Sequence, residues 1–498
     1  MYTTREIVNT FFEDVPKNSK GEQTTYKFKC SCGTTRTQDL KKGLTNLISH
    51  IKNDHKDWME VMNSKKKDHP VSLFVNRKGN NIFNWMEWVI TDNHSFSFVE
   101  KPLTKKHTKL EPISVDTLMK YIKLVTEAVE KDVATQLPSK FGIIIDGWKE
   151  GTTHYIALFA SYNGKFPLLA IAPPFNEQDY TAQSHKSFII DVLELFGKVP
   201  SSLLYLVADN AAVNTCLADL LEIPMIGCAS HRFNLACKSY LEKYERSLSK
   251  INSLMVSLRN VKQAGKLRTK TPLEPVTRND TRWSSTHNML LRFFRIREFL
   301  DETDADLVYN MPTPLEVNEL SLAMADLQEF ESTTKLLQDQ QRTLSDVRDI
   351  FDAMLSKYPE MERHISQRGR ILHSPDFENG LVKLQDELWG DLTTQEELLM
   401  RPFLLENADV QLISPTKPSS LAAAALKTKK RKIISCPYIN VSQIPPTSNI
   451  VERLFSSARL VLTDYRKSMT PYTFECVMFL KFNRSYWDNV LVSKIVGK

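Results

Sequence analysis

Short apolar runs separated by turn residues fill the stretch from Phe141 to Asn210. FGIIIDGW, HYIALFASY, FPLLAIAPP and LLYLVADN are rich in Ile, Leu and Val, which predicts buried strands. Between the third and fourth, SHKSFIIDVLELFG has the length and spacing of a helix. Two hairpin-like strands, a third strand, a helix and a fourth strand describe a mixed sheet with helical cover, so the class is α+β. Elsewhere the apolar period is that of a helix. PISVDTLMKYIKLVTEAVEKDVATQL predicts one amphipathic helix before the sheet. After Leu235 strand signals almost vanish, and segments such as LEVNELSLAMADLQEFESTTKLLQDQQ and RDIFDAMLSKYPEMERHI predict a helical domain. A loop rich in Pro, Ser and Lys follows, and then two helices. In the first, Ile450, Leu454, Phe455 and Ala458 line one face. The second opens with Thr470 as N-cap and Pro471 at the first helical position, where its missing N–H is harmless. Phe474, Val477, Met478, Phe482 and Trp487 give it an apolar surface expected to pack partly on its own core and partly on a second copy. The sequence holds no internal repeat.

At 498 residues the chain exceeds one ordinary core, and roughly three domains are expected. Hydrophobic residues at 42% and charged residues at 25% fit a soluble globular mixture and exclude a fibrous or disordered chain. No apolar run approaches the roughly 18 residues that span a bilayer, and the start lacks a signal-peptide core, so neither membrane nor secreted readings are expected. Seven cysteines, an odd number, argue for free thiols in a reducing compartment. The net charge of +6 is unevenly placed. Residues 1–80 carry 15 Lys and Arg against 9 Asp and Glu, whereas the remaining residues balance. A nucleic-acid reader at the N-terminus would account for that.

Four candidate ligands lie in the basic stretch. FKCSCGTTRTQDLKKGLTNLISHIKNDH supplies Cys30, Cys32, His50 and His55 in the order C-x-C, H-x4-H. Two sulfurs on a tight turn and two imidazoles about one helical turn apart can close a tetrahedron on a structural zinc at ~2.0–2.3 Å. Leu47, Ile48 and Ile51 would form the small core that metal binding organises. The arrangement resembles a BED-type zinc finger, a DNA-binding module, with one residue fewer between the cysteines than is usual there. Arg36, Lys41, Lys42, Lys52 and Lys56 would then meet phosphates, although surface lysines are often simply solvated.

Asp146 closes the first strand of the sheet and Asp209 the fourth. Carboxylates at the C-terminal ends of such strands face the crevice where ligands bind, yet Asp before Gly or Asn is also ordinary strand-to-turn punctuation. Two acids side by side on adjacent strands repel unless a cation sits between them. Glu452 is a third candidate; alternatively it completes a capping box begun by Asn449.

The ordered set DGW (Asp146–Trp148), DNA (Asp209–Ala211), CASH with RFNL (Cys228–Leu235), TRWSST (Thr281–Thr286) and PPTSNIVERLFS (Pro445–Ser456) resembles the hAT superfamily of DNA transposases. The resemblance implies a ribonuclease H-like core split by an all-helical insertion. It implies a BED-like finger over 1–58, a linker over 59–80 and a helical intermediate region for DNA binding or dimerisation over 81–138. The first part of the core would occupy 139–239, the insertion 240–432, and core completion with dimerisation helices 433–498. Asp146, Asp209 and Glu452 match the family's DDE triad. They would hold two Mg²⁺ or Mn²⁺ ions roughly 3.5–4 Å apart for in-line phosphoryl displacement. Cleavage at transposon ends, hairpin formation on flanking DNA and joining by a 3′-hydroxyl are implied.

Cys228 and His231 match the family's C-x2-H element. Two ligands cannot complete a zinc site, so Cys228 is expected as a small buried group, and His231 either as an active-site organiser or as a core histidine. Arg282 and Trp283 match an RW element. The indole could stack on an unstacked base, worth ~1–3 kcal/mol, or fill a helical core. Implied partners are double-stranded DNA, as transposon ends and target, and a second or further copy of the chain; no membrane is implied. The run KTKKRK (Lys427–Lys432) fits a nuclear-localisation or DNA patch or a solvated loop, and a DNA-cutting chain is expected in the nucleus of a eukaryotic host. The rival function is a non-catalytic zinc-finger DNA-binding regulator derived from a transposase. A simple ribonuclease H-like nuclease fits the finger and the long helical stretch poorly.

Overall fold

Ile7, Val8, Phe11, Leu47 and Ile51 close a small apolar core near the N-terminus. The computed structural model of the chain describes residues 4–14, 25–39, 43–59, 61–62, 75–174, 176, 178–279, 282–405, 436–462 and 469–497. These fall into two units, Met1–Asn84 with Asp488–Lys498, and Trp85–Trp487. In the first unit helix α1 (Thr4–Phe11) runs into strand β1 (Phe12–Asp14), which pairs with β2 (Thr25–Cys30) and through it with β3 (Thr35–Asp39). Both pairings are antiparallel, with Phe12 opposite Cys30 and Phe28 opposite Arg36. Helix α2 (Thr45–Asp54) turns Leu47, His50 and Ile51 inward at the spacing of one helix face, and Ile48 packs at the edge of the same core. The division between the units falls within α3 (Arg77–Thr91).

In the second unit the end of α3 and short helical turns over Phe96–Glu100 and Pro102–His107 lead to α4 (Val115–Gln136), capped by Ser114, whose hydroxyl accepts the Thr117 N–H. Strands β4 (Phe141–Glu150), β5 (Thr153–Ser161) and β6 (Leu168–Ala172) form an antiparallel meander. After α5 (Ala182–Leu195) the chain returns as β7 (Leu203–Ala208), parallel to β4. Helix α6 (Ala212–Leu221) then leads to β8 (Met225–Gly227), parallel to β7. The order is β6-β5-β4-β7-β8, a mixed sheet. β8 is absent from the pattern-based expectation because three residues are too few for a period.

Two of this unit's apolar cores bear on the site. A helical one unites Phe233 on α7 (Ala229–Leu241), Leu248 on α8 (Glu245–Leu258) and Phe293 on α9 (Trp283–Ile296). It continues to Phe330 on α10 (Pro314–Leu337) and Phe351 on α11 (Leu344–Lys357). The other lies on the face of the sheet that carries Ile144, Trp148, Tyr205 and Val207. It is covered by α12 (Pro375–Gln385), α13 (Thr394–Met400), α14 (Asn449–Val461) and α15 (Pro471–Phe482). The later part of the stretch expected as one helical insertion, α12 and α13, thus packs with the sheet.

The apolar surface expected to be shared with a second copy is instead internal. Phe474, Val477, Met478 and Trp487 are at most 2% exposed, and Phe482 is half-buried against the sheet core. Thr470 caps α15 as expected, and Asn483 at its end is fully buried, bonding both Leu168 N and Leu168 O of β6 as a strand backbone would. No described helix is long and apolar enough to cross a membrane.

Candidate functional site

The Cys/His group is assembled by a hairpin and a helix. Gly33 N donates to Cys30 O at 2.8 Å and Cys30 N to Thr34 O at 2.8 Å, closing a turn that requires φ +90° at Gly33. A one-residue spacing between the cysteines suffices because of that glycine. Cys30 Sγ lies 3.2 Å from His55 Nε2, and Cys32 Sγ 3.4 Å from His50 Nε2. All four ligand atoms are within 4.8 Å of one another, so this group can hold one structural zinc ion. Phe11 meets the His55 ring edge-on and Phe12 packs on His50, fixing both imidazoles. His50 Nδ1 approaches Asp54 Oδ2 to 2.5 Å, close though not aligned as a hydrogen bond, which directs Nε2 toward the sulfurs. Burial pushes the Cys30 thiol up, while the hydroxyl and backbone of Thr34 draw Cys32 down to about 6. Arg36 is half-buried on β3, and Lys52 and Lys56 are exposed. Lys41, Lys42, most of 59–80 and the KTKKRK run lie outside the described residues.

The three acids converge in the second unit. Ile144 pairs with Val207, so Asp146, two residues further along β4, and Asp209, the residue that follows the end of β7, leave the same end of this parallel pair side by side. Alternation puts Asp146 on the face of Ile144 and Trp148. Trp148 stacks on Phe455 of α14 at 5.6 Å, and one turn before Phe455 on that helix is Glu452. Burial pushes the Asp146 carboxyl up to about 7, and the charges of Asp209 and Glu452 push the same way; the Gly147 N–H and Arg282 draw it back. Asp209 is oriented by Asn214 Nδ2 at 2.6 Å and Ala211 N at 3.1 Å. Glu452 makes no capping box. The α14 N-cap is Ser448 without a side-chain bond, Asn449 Nδ2 donates to Leu337 O, and Glu452 Oε2 accepts Arg282 Nη2 at 2.5 Å. Oxygen-only donors gathered in one place suit a hard divalent cation. Their oxygens are more widely set than the Cys/His ligands, which form the one group within 4.8 Å among the described residues.

One turn ties the acids together. Cys228 N donates to Ala208 O, beside Asp209, while Cys228 Sγ accepts Ser448 N at 3.3 Å and Ala229 N donates to Pro446 O. Cys228 is therefore buried, as expected, but it is also a hydrogen-bond acceptor joining the end of β7 to the start of α14. Glu378 of α12 holds that turn from behind. Its carboxylate accepts Gly227 N at 2.9 Å and Arg232 Nη1 at 3.1 Å, with Glu378 7% and Arg232 4% exposed. No sequence signal marked Glu378, an ordinary acid in a helical stretch.

His231, half-buried on the first turn of α7, lines a cavity of about 190 Å³ with Arg282, Trp283 and Glu452. Trp283 itself is 3% exposed, its ring stacked on His287 and edge-on to Phe330, and its backbone N–H donates to Asn234 Oδ1. The indole is buried, so the core reading is the one observed, and base stacking would require it to repack. No protein-family model matches the chain, and no curated protein matches it in sequence.

Proposed function

We propose that the chain is a DNA transposase of the hAT type, or a protein derived from one, with a ribonuclease H-like core that cleaves and joins DNA strands. The observation that carries this reading is the meeting of Asp146, Asp209 and Glu452 from distant parts of the sequence, close enough that the charges of the other two add to the burial that pushes the Asp146 carboxyl up to about 7. Like charges gathered beside a buried carboxyl are costly without a cation, which argues for a cation-binding rather than a purely structural role. Two Mg²⁺ or Mn²⁺ ions there would activate the attacking oxygen and stabilise the leaving one. The chain's own part is to hold those oxygens rigidly: Asn214 orients Asp209, Trp148 seats the Glu452 helix, and Cys228 links the two. The Cys/His finger, with the basic excess around it, would dock on duplex DNA through phosphates. A nuclear location and a homodimer or larger assembly belong to the same proposal, with the assembly using a surface other than the buried face of α15.

A second reading, a zinc-finger DNA-binding regulator without catalysis, draws on the tight spacing of the Cys/His ligands against the wider spacing of the acids. Incubating the zinc-loaded protein with the ends of its own element and Mg²⁺ or Mn²⁺ separates the two. Nicks that vanish in Asp146→Asn and Asp209→Asn, with DNA binding retained, support the transposase; binding without any nick supports the regulator.

A further inference from the structure

Arg282 is anchored at its backbone and exposed at its head group. Its backbone precedes α9 in an extended conformation, and the next residue, Trp283, is locked in the helical core with its N–H on Asn234 Oδ1 at 3.1 Å. The side chain reaches away from that anchor and is 58% exposed. Its guanidinium lies 2.5 Å from Glu452 Oε2, on a carboxylate that is itself 34% exposed. His231, Asn234, Gln338 and Asn449 line the cavity beside the pair, which gives the head group room to move. The same positive charge is near enough to Asp146 to draw its pKa back a little, so it offsets part of the negative charge there as well as on Glu452.

A divalent cation on Glu452 and a guanidinium on the same carboxylate would repel each other at such distances. We propose that Arg282 is a resident counter-ion of Glu452, which a divalent cation must displace, so that the two compete for one carboxylate. The proposal rests on the reading of the three acids given above. Released from Glu452, the planar guanidinium becomes a bidentate donor for a strand phosphate entering the same cavity, a geometry that lysine does not reproduce. Arg282 thus guards the charge of the site before the cation arrives and meets the substrate's charge afterwards.

The test is Mn²⁺ affinity of the zinc-loaded full chain, read from the free-Mn²⁺ electron paramagnetic resonance signal, with Asp146→Asn as the control that identifies binding at the acids. Competition predicts that Arg282→Gln binds Mn²⁺ about two- to fivefold more tightly than the parent, the range set by a part-exposed ion pair. Arg282→Lys, which keeps the charge, should return affinity to near the parent value. A residue that merely held Glu452 in place would give the opposite sign, with weaker Mn²⁺ binding in both variants. Unchanged or weakened affinity in Arg282→Gln, alongside binding that depends on Asp146, overturns this proposal and leaves the reading of the acids standing. Absence of any Asp146-dependent binding in the parent overturns both.

Discussion

Replacing Glu378 by alanine removes the one buried anion behind the Gly227–Cys228 turn. Arg232 would keep two carbonyl acceptors, His364 O at 3.0 Å and Ser366 O at 3.3 Å, and its place over the Phe351 ring. It would lose its carboxylate partner while remaining 4% exposed. Breaking a buried pair from one side costs about 3–5 kcal/mol, because the remaining charge stays out of water. Spread over a unit of about 400 residues, with an unfolding entropy near 2.1 cal/mol/K per residue, that loss lowers the melting temperature by about 4–6 °C. Burial already pushes Glu378 up and Arg232 down, each against its charged form. Removing both charges, with Glu378→Met and Arg232→Met together, should therefore cost less than the single change. Differential scanning calorimetry of the zinc-loaded protein reads both numbers. A fall of less than about 1 °C in Glu378→Ala, or a double variant as unstable as the single one, would refute the argument that this pair holds the turn.

Cys30→Ser should reduce bound zinc below about half an equivalent and remove amide-exchange protection from residues 4–62, both read on the purified protein. Asp146 titrates near 7 in the folded chain and near 3.8 unfolded, so its penalty is absent below the lower value and grows as pH rises through the window between them. Without added divalent cation, Asp146→Asn should therefore stabilise the protein by up to about 4 kcal/mol above pH 7 and leave it unchanged below pH 4. Equal stability of the two across that range sinks the assignment. Phe474→Ala should lower the melting temperature, through a core cavity costing about 3–5 kcal/mol, without changing the mass by light scattering. A change of mass with the melting point intact would return that face to an interface.

Which parts were legible in the sequence follows from how local each signal is. Strand-rich runs such as FGIIIDGW announce themselves, and the N-cap and proline of α15 act within four residues. The zinc ligands were readable for the same reason, since all four lie within 26 residues of chain and a hairpin plus a helix suffice to gather them. The acids were different. Alone, Asp146 and Asp209 look like punctuation; only the β4–β7 register makes them neighbours, and register is a property of two strands together. Glu452 was ambiguous between a cap and a site until Arg282, 170 residues away in sequence, proved to be its partner. For Trp283 the sequence leaves a stacking surface and a helical core both open, and it gives the face of α15 partly to a second copy, because a sequence shows that a side chain is apolar but not whether its own chain covers it. Glu378 could not be found at all, since an acid buried by a distant arginine has the same local context as a solvated one.

The bond from Ser448 N to Cys228 Sγ spans 220 residues of chain. At a synthesis rate of about 5–20 residues per second, the Cys228 turn leaves the ribosome roughly 11–44 seconds before the segment that will seat Glu452 upon it. Throughout that interval the sheet can form with Asp146 and Asp209 already side by side, while the third acid and the helix bearing it do not yet exist. A nascent chain therefore carries an incomplete acid cluster, and the cluster closes only when translation has passed residue 452.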